Sequence, residues 1–251
     1  LSLAGVIVHS SNVGMAKVGE AMGNPRLHAV AEAFGFGSRT DIELPGESPG
    51  IVRPLEGSDD PPMRPWDGYS LRRVPFGQEI SVTALQLAMA FSSLANGGEL
   101  LQPRLVDRIY SPDGRLLWQS RRRVVRRVLS PRVAAETLHV LSEVVERGTG
   151  RRCKLDGWTS FGKTGTAQIA GVGGYVEHAY VGSFVGGAPA TRPRVLCVIS
   201  VYWPDVSKGY YGGTVAAPYV RDVLRKTLVY LDVPPDRADA AARRLASRLR
   251  G

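Results

Sequence analysis

The stretch Trp158-Thr159-Ser160-Phe161-Gly162-Lys163-Thr164-Gly165-Thr166-Ala167-Gln168-Ile169 is the first of three strand-like runs. Ala179 to Val185 and Arg194 to Trp203 follow it, joined by short turns that contain Gly and Pro. Runs of this length separated by turn residues predict an antiparallel meander. Downstream, Val220, Leu224, Leu228 and Leu231 recur at helical spacing, which predicts a last helix covering one side of the sheet. Three strands under one helix leave an edge and half a face open. The sheet is therefore expected to continue with strands that this chain lacks.

Upstream of the meander the pattern is helical. Asn12 is expected to cap a short helix closing near Gly23, and Asn24-Pro25 to open another with cap and first-turn proline in the preferred order. Leu27, Val30, Ala31 and Phe34 share one face of that second helix, and Gly35 supplies its stop. From Thr83, the positions Ala84, Leu87, Ala88, Phe91 and Leu94 trace an apolar stripe that ends at Asn96-Gly97-Gly98. Ser130-Pro131 starts a helix carrying Ala134, Leu138, Leu141 and Val145, which closes at Gly148. Between these lie a Pro-, Gly- and Asp-rich excursion from about Gly46 to Arg73, read as a surface segment without regular structure, and a hairpin. The hairpin signal is Ser111-Pro112-Asp113-Gly114 set between Ile109-Tyr110 and Leu116-Leu117-Trp118. The expected class is α/β in the broad sense, more strictly α+β: an antiparallel sheet with flanking helices and a mainly helical subdomain. No long linker divides the chain, so residues 1–235 read as one partial domain and 236–251 as a basic C-terminal tail.

Hydrophobic residues make up 43% of the chain and charged residues 22%, enough to bury a sizeable core and to argue against disorder. The net charge of +9 is mostly arginine, densest at Arg121-Arg122-Arg123 with Arg126-Arg127, and at Arg243-Arg244 with Arg248 and Arg250. No aromatic residues interleave with either run to act as stacking platforms, so solvated faces are expected and a nucleic-acid partner is not. Cys153 and Cys197 stand in no metal or redox spacing, and the histidines form no cluster, so neither a disulfide framework nor a metal site is indicated. Cys197 lies in an apolar run and is expected to behave as a small buried hydrophobe. No apolar stretch approaches the roughly twenty residues of a membrane span, and the start of the chain is too short for a signal peptide. Without an initiator methionine it reads as a mature or truncated chain.

Lys163-Thr164-Gly165-Thr166 is poor material for an ordinary buried strand. A ligand accounts for it: glycine admits a close backbone, two hydroxyls can hold a carboxylate, and the ammonium supplies a positive point charge. The tripeptide alone is a weak signal. Ser10-Ser11-Asn12 lies far upstream at a helix start, where serine and asparagine also occur simply as caps. Together the two elements match, in order, two of the three motifs of the penicillin-interacting serine acyltransferases, S-x-N and K-T-G.

The text around them resembles the class B penicillin-binding proteins, especially the division-type transpeptidases, over nearly the whole chain to about Pro235. The pieces are His9 to Gly14, Phe34 to Gly37, Glu43-Leu44-Pro45-Gly46-Glu47-Ser48-Pro49-Gly50, Phe76 to Ala88, Ala95 to Gly98, Gly162 to Gln168 and Tyr210-Tyr211-Gly212-Gly213. The third motif, S-x-x-K, is expected tens of residues before Ser10, outside this chain. Ser160-Phe161-Gly162-Lys163 has its spacing but falls in a predicted strand, where serine and lysine cannot share a helix turn.

The resemblance implies a penicillin-binding fold and a peptidoglycan D,D-transpeptidase in which the absent serine forms an acyl-enzyme on a stem peptide ending in D-Ala-D-Ala. It implies that Ser10 relays a proton at the leaving nitrogen, Asn12 bonds the peptide amide and Lys163 supports that network. Thr164 and Thr166 would bind the terminal carboxylate, with Gly165 between them, and the Thr166 N–H would form half the oxyanion hole. No cofactor is implied. β-Lactam antibiotics, a glycosyltransferase and other division proteins are the implied partners, at the outer face of the plasma membrane. The alternatives are a β-lactamase or lactam-sensing domain, against which the Phe76 to Leu87 and Glu43 to Gly50 stretches argue, a non-catalytic scaffold in the division machinery, and a basic nucleic-acid binder.

Overall fold

The structure is a computed structural model, and it describes residues 1–59, 62–171 and 174–237. Helices α1 (Leu3–Val8), α2 (Asn12–Met22) and α3 (Asn24–Ala33) open the chain. Short strands β1 (Ile51–Val52), β2 (Ser58–Asp59) and β3 (Pro62–Met63) precede α4 (Ser70–Arg73), β4 (Ile80–Ser81) and α5 (Ala84–Ala95). Strands β5 (Glu99–Leu101), β6 (Arg108–Tyr110), β7 (Leu116–Gln119) and β8 (Val124–Arg127) lead into α6 (Pro131–Arg147). The meander β9 (Phe161–Gly171), β10 (Gly174–Ala188) and β11 (Val195–Tyr202) then runs to α7 (Gly212–Val215) and α8 (Ala217–Tyr230).

The meander is antiparallel in the order β11-β10-β9, as the three sequence runs predict. Side-chain alternation along a strand gives it two faces. On one, Phe184 packs with Val145, Leu155, Val220, Leu224 and Leu228, so α8 covers that side. On the other, Phe161 and Leu196 pack with Val8 of α1 and Leu141 and Val144 of α6. Lys163 lies two positions after Phe161 and so faces the α1 side. Strand β9 is hydrogen-bonded only to β10 among the described residues, and its other long edge is open.

Several local expectations shift. Ser11 caps α2, accepting from the Gly14 N–H at 3.1 Å, so Asn12 is the first helical residue instead of the cap. Gly23, at φ +76°, takes the cap of α3 and pushes Asn24 into its first turn. Of the expected α3 face only Ala31 is buried, while Val30 is 44% exposed. In α5 the buried positions are Gln86, Ala90 and Ser93, whereas Phe91 and Leu94 line the second cluster and Ala84 is exposed. The helix is packed on more than one side, which a single-stripe reading misses. Leu231 is 45% exposed, beyond the end of α8.

The segment from Gly46 to Arg73 departs most from expectation. It carries the three short strands and α4, it buries Trp66, and Arg53 bonds the Ser70 hydroxyl at 3.2 Å and pairs with Glu79. Its Pro- and Gly-rich text makes tight connections, and side-chain ion pairs replace backbone ladders in fixing it. Gln86 fastens its start: the amide nitrogen donates to the Ser38 and Pro49 carbonyls, each at 2.8 Å, while the amide oxygen accepts the Thr83 N–H at 2.9 Å. At the other end of the chain, Asp236 bonds Thr159 and Thr191, and Arg237 pairs with Glu146, tying these first positions of the expected tail to the residues that lead into β9. Arg243, Arg244, Arg248 and Arg250 lie outside the described residues.

Gln86→Leu keeps the side-chain volume but takes the donor from the part-buried bonds to Ser38 and Pro49, so it is expected to cost on the order of 1–3 kcal/mol in urea unfolding. A loss below about 1 kcal/mol would show that the amide is not what fastens Ser38 and Pro49.

Candidate active site

The site forms where the turn between α1 and α2 meets the open edge of β9. Helix α1 packs on α6, and Gly148 makes this possible: a Cβ there would stand 2.3 Å from the Val8 carbonyl. After α1 the chain reverses through His9 and Ser10, with Ser10 in the left-handed region at φ +54°. A non-glycine residue holds that conformation at a cost, and here it aims the hydroxyl at the sheet. Lys163 reaches from β9 and donates to Ser10 Oγ at 2.6 Å. Ser10 and Lys163, expected to share a cleft, are in direct contact.

Lys163 also donates to the Thr164 carbonyl at 3.1 Å. Burial pushes its ammonium down to about 8, with no carboxylate among the described residues in hydrogen-bond contact to hold the proton. At neutral pH it is still mostly protonated, and it is a far readier proton donor than an exposed lysine.

The other expected residues are placed unequally. Thr164 and Thr166 alternate with Lys163 along β9: Thr164 Oγ1 lies 2.9 Å from Thr149 Oγ1, and Thr166 Oγ1 accepts the Gly212 N–H at 3.2 Å. Asn12 is exposed at the first turn of α2, and its side chain has no hydrogen-bond partner among the described residues. Gly165 has a packing reason beside any role in admitting a ligand, since a Cβ there would come within 2.5 Å of Ser183 Oγ. Ser160 is fully buried and bonds the Cys153 carbonyl, so Ser160-Phe161-Gly162-Lys163 offers no nucleophile. Cys153 is inert as well, its thiol pushed up to about 12 by burial.

Two contributors escaped the sequence reading. Thr149 sits in Gly148-Thr149-Gly150, which reads only as a helix stop, and no spacing rule links it to Thr164. Nothing in the sequence of Tyr210-Tyr211-Gly212-Gly213 gives Gly212 a role. A Cβ there would lie 2.0 Å from the Ser183 carbonyl and 2.4 Å from that of Gly165, so only glycine lets the start of α7 rest on β9 and β10. A cavity of about 240 Å³ lies elsewhere, lined by residues such as Phe34, Gln86, Met89, Leu100 and Arg126. It includes none of Ser10, Lys163, Thr164 or Thr166, which lie on the open cleft instead.

The family model described as the penicillin binding protein transpeptidase domain matches residues 1–225. Stage V sporulation protein D of Bacillus subtilis is 35% identical over 233 residues, covering 92% of this chain and 34% of that protein. Penicillin-binding protein PbpB of Mycolicibacterium smegmatis is 34% identical, covering 92% of this chain and 36% of its own length. The chain thus spans about a third of these relatives. Penicillin binding protein 3 of Mycobacterium tuberculosis, in a crystal structure with ampicillin, superposes with a TM-score of 0.81 at 32% identity, covering 93% of this chain and 52% of that one. With the S-x-N turn and the K-T-G strand in contact, and with this likeness along almost its whole length, the chain belongs to the penicillin-binding protein transpeptidase domain family.

Proposed function

We propose that this chain carries the S-x-N and K-T-G elements of a peptidoglycan D,D-transpeptidase of the division type, with the nucleophilic serine of S-x-x-K supplied by a preceding segment of a longer protein. The observation that carries the reading is the 2.6 Å bond between Lys163 Nζ and Ser10 Oγ. The serine oxygen, giving its proton to the lysine of S-x-x-K, attacks the penultimate D-alanine carbonyl, and collapse of the tetrahedral intermediate breaks the C–N bond to the terminal D-alanine. The departing nitrogen needs a proton. Ser10 gives its hydroxyl proton and regains one from Lys163, whose ammonium, already loosened by burial, becomes the amine. An amine of a neighbouring stem peptide then takes the acyl group; its proton passes through Ser10 back to Lys163, and the freed serine recovers its own from the lysine of S-x-x-K.

Around this relay Thr164 and Thr166 hold the terminal carboxylate, and Asn12, exposed at the helix start, bonds the peptide amide. The Thr166 N–H serves as half the oxyanion hole. β-Lactams acylate the same serine, and the ampicillin complex of the Mycobacterium tuberculosis relative supports this. On this reading the longer protein works at the outer face of the plasma membrane, beside a glycosyltransferase and other division proteins.

A fluorescent penicillin is expected to label the longer protein that carries S-x-x-K and not this 251-residue chain. Label on the chain itself would mean that the nucleophile has been misassigned. In the longer protein, Ser10→Ala is expected to slow acylation by on the order of a hundredfold or more, read as the second-order rate with a chromogenic lactam. An unchanged rate would remove Ser10 from the relay. Because the relay needs Lys163 protonated, the acylation rate is expected to fall as pH rises through about 8. Lys163→Arg, which holds its proton, should be slow and flat over that range, and a wild-type profile equally flat to pH 10 would rule out Lys163 as the donor.

A further inference from the structure

The hairpin of β6 and β7 stands apart from both cores. Its two strands pair only with one another among the described residues, and every residue of both is exposed. Ile109, Tyr110, Leu116, Leu117 and Trp118 are each between 44% and 54% exposed. Two-stranded hairpins are marginal in water, and soluble domains seldom leave so dense a set of large apolar groups beside open strand edges.

The charge around it is as uneven as the hydrophobicity. Between Arg104 and Arg127 lie eight arginines and two aspartates, a net +6 within a chain of +9. Arg122 and Arg127 share the single carboxylate of Glu99, and Arg108 lies near Asp107, but Arg115 and Arg121 make no salt bridge among the described residues. The tip is polar: Ser111 bonds both Asp113 and the Arg115 N–H. The apolar groups therefore run along the shaft. A hairpin built to dip into a bilayer would carry them at its tip instead.

We infer that the β6–β7 hairpin is a docking site for an acidic, extended segment of a partner protein, which adds as a further strand along a free edge and alternates apolar residues with carboxylates. Strand addition satisfies the open backbone groups, Leu117 and Trp118 supply apolar contact, and Arg115 and Arg121 select for negative charge. The inference does not depend on the acyl-transfer reading, since the hairpin shares no residue with the site of Ser10 and Lys163.

Short linear peptides selected from a random library against the 251-residue chain test it. The expected winners are acidic with alternating apolar positions, and they should slow hydrogen exchange at the hairpin amides. Their affinity should fall by about tenfold in Trp118→Ser and in the double variant Arg115→Glu, Arg121→Glu, with the melting temperature held as a control on folding. Leu117→Ser serves if Trp118→Ser fails to fold. Neutral or basic winners, or acidic ones indifferent to these variants, would overturn the proposal. So would hairpin-dependent binding to phosphatidylglycerol vesicles without peptide binding, which would make the surface a membrane contact.

Discussion

A partly desolvated ammonium held against a hydroxyl 153 positions away is the constraint on which the rest of the structure turns. Neither group keeps that contact alone. Lysine loses side-chain entropy and solvation on being drawn into the cleft, and Ser10 occupies a left-handed conformation that a free chain seldom visits. Both costs are offset by packing at a distance. Val8 and Phe161 lie in one cluster with α6, so the helix before Ser10 and the strand before Lys163 are pressed onto the same support. The Lys163–Ser10 pair is the free end of two elements whose other ends share a core.

The same arrangement sets the electrostatics of the pair. With no carboxylate among the described residues bonded to Lys163, burial alone loosens its proton, and the hydroxyl of Ser10 lies beside it. Thr164 and Thr166, on the alternate positions of β9, are held by Thr149 and by the N–H of Gly212, so their hydroxyls are oriented from below by the helix stop after α6 and by the start of α7. One strand thus presents an ammonium and a pair of hydroxyls in fixed relation because its side chains alternate.

The segment from Gly46 to Arg73 and the α5 helix show a different economy. Their backbone is only sparsely laddered, and order comes from single side chains that serve several partners, Gln86 for the turns at Gly35, Ser38 and Pro49, and Arg53 with Ser70 and Glu79. Such hubs leave little periodicity in the text, which is why the segment reads as structureless and why the α5 stripe was assigned to too narrow a face.

The sequence by itself determined what depends on neighbours along the chain. The three strand runs, the hairpin turn at Ser111 to Gly114, the caps at Thr83 and Ser130 and the motif pair itself were all legible, because alternation, helical spacing and turn chemistry are local. Tertiary structure alone decided the rest. Ser11 and not Asn12 caps α2, since the chain must also reverse through Ser10. Thr149 and Gly212 join the site, since contacts between residues 15 and 46 positions apart leave no spacing signature. The lowered proton affinity of Lys163 belongs here too: desolvation is a property of the space around an atom, and that space exists only once α1, α6 and β9 have closed on one another.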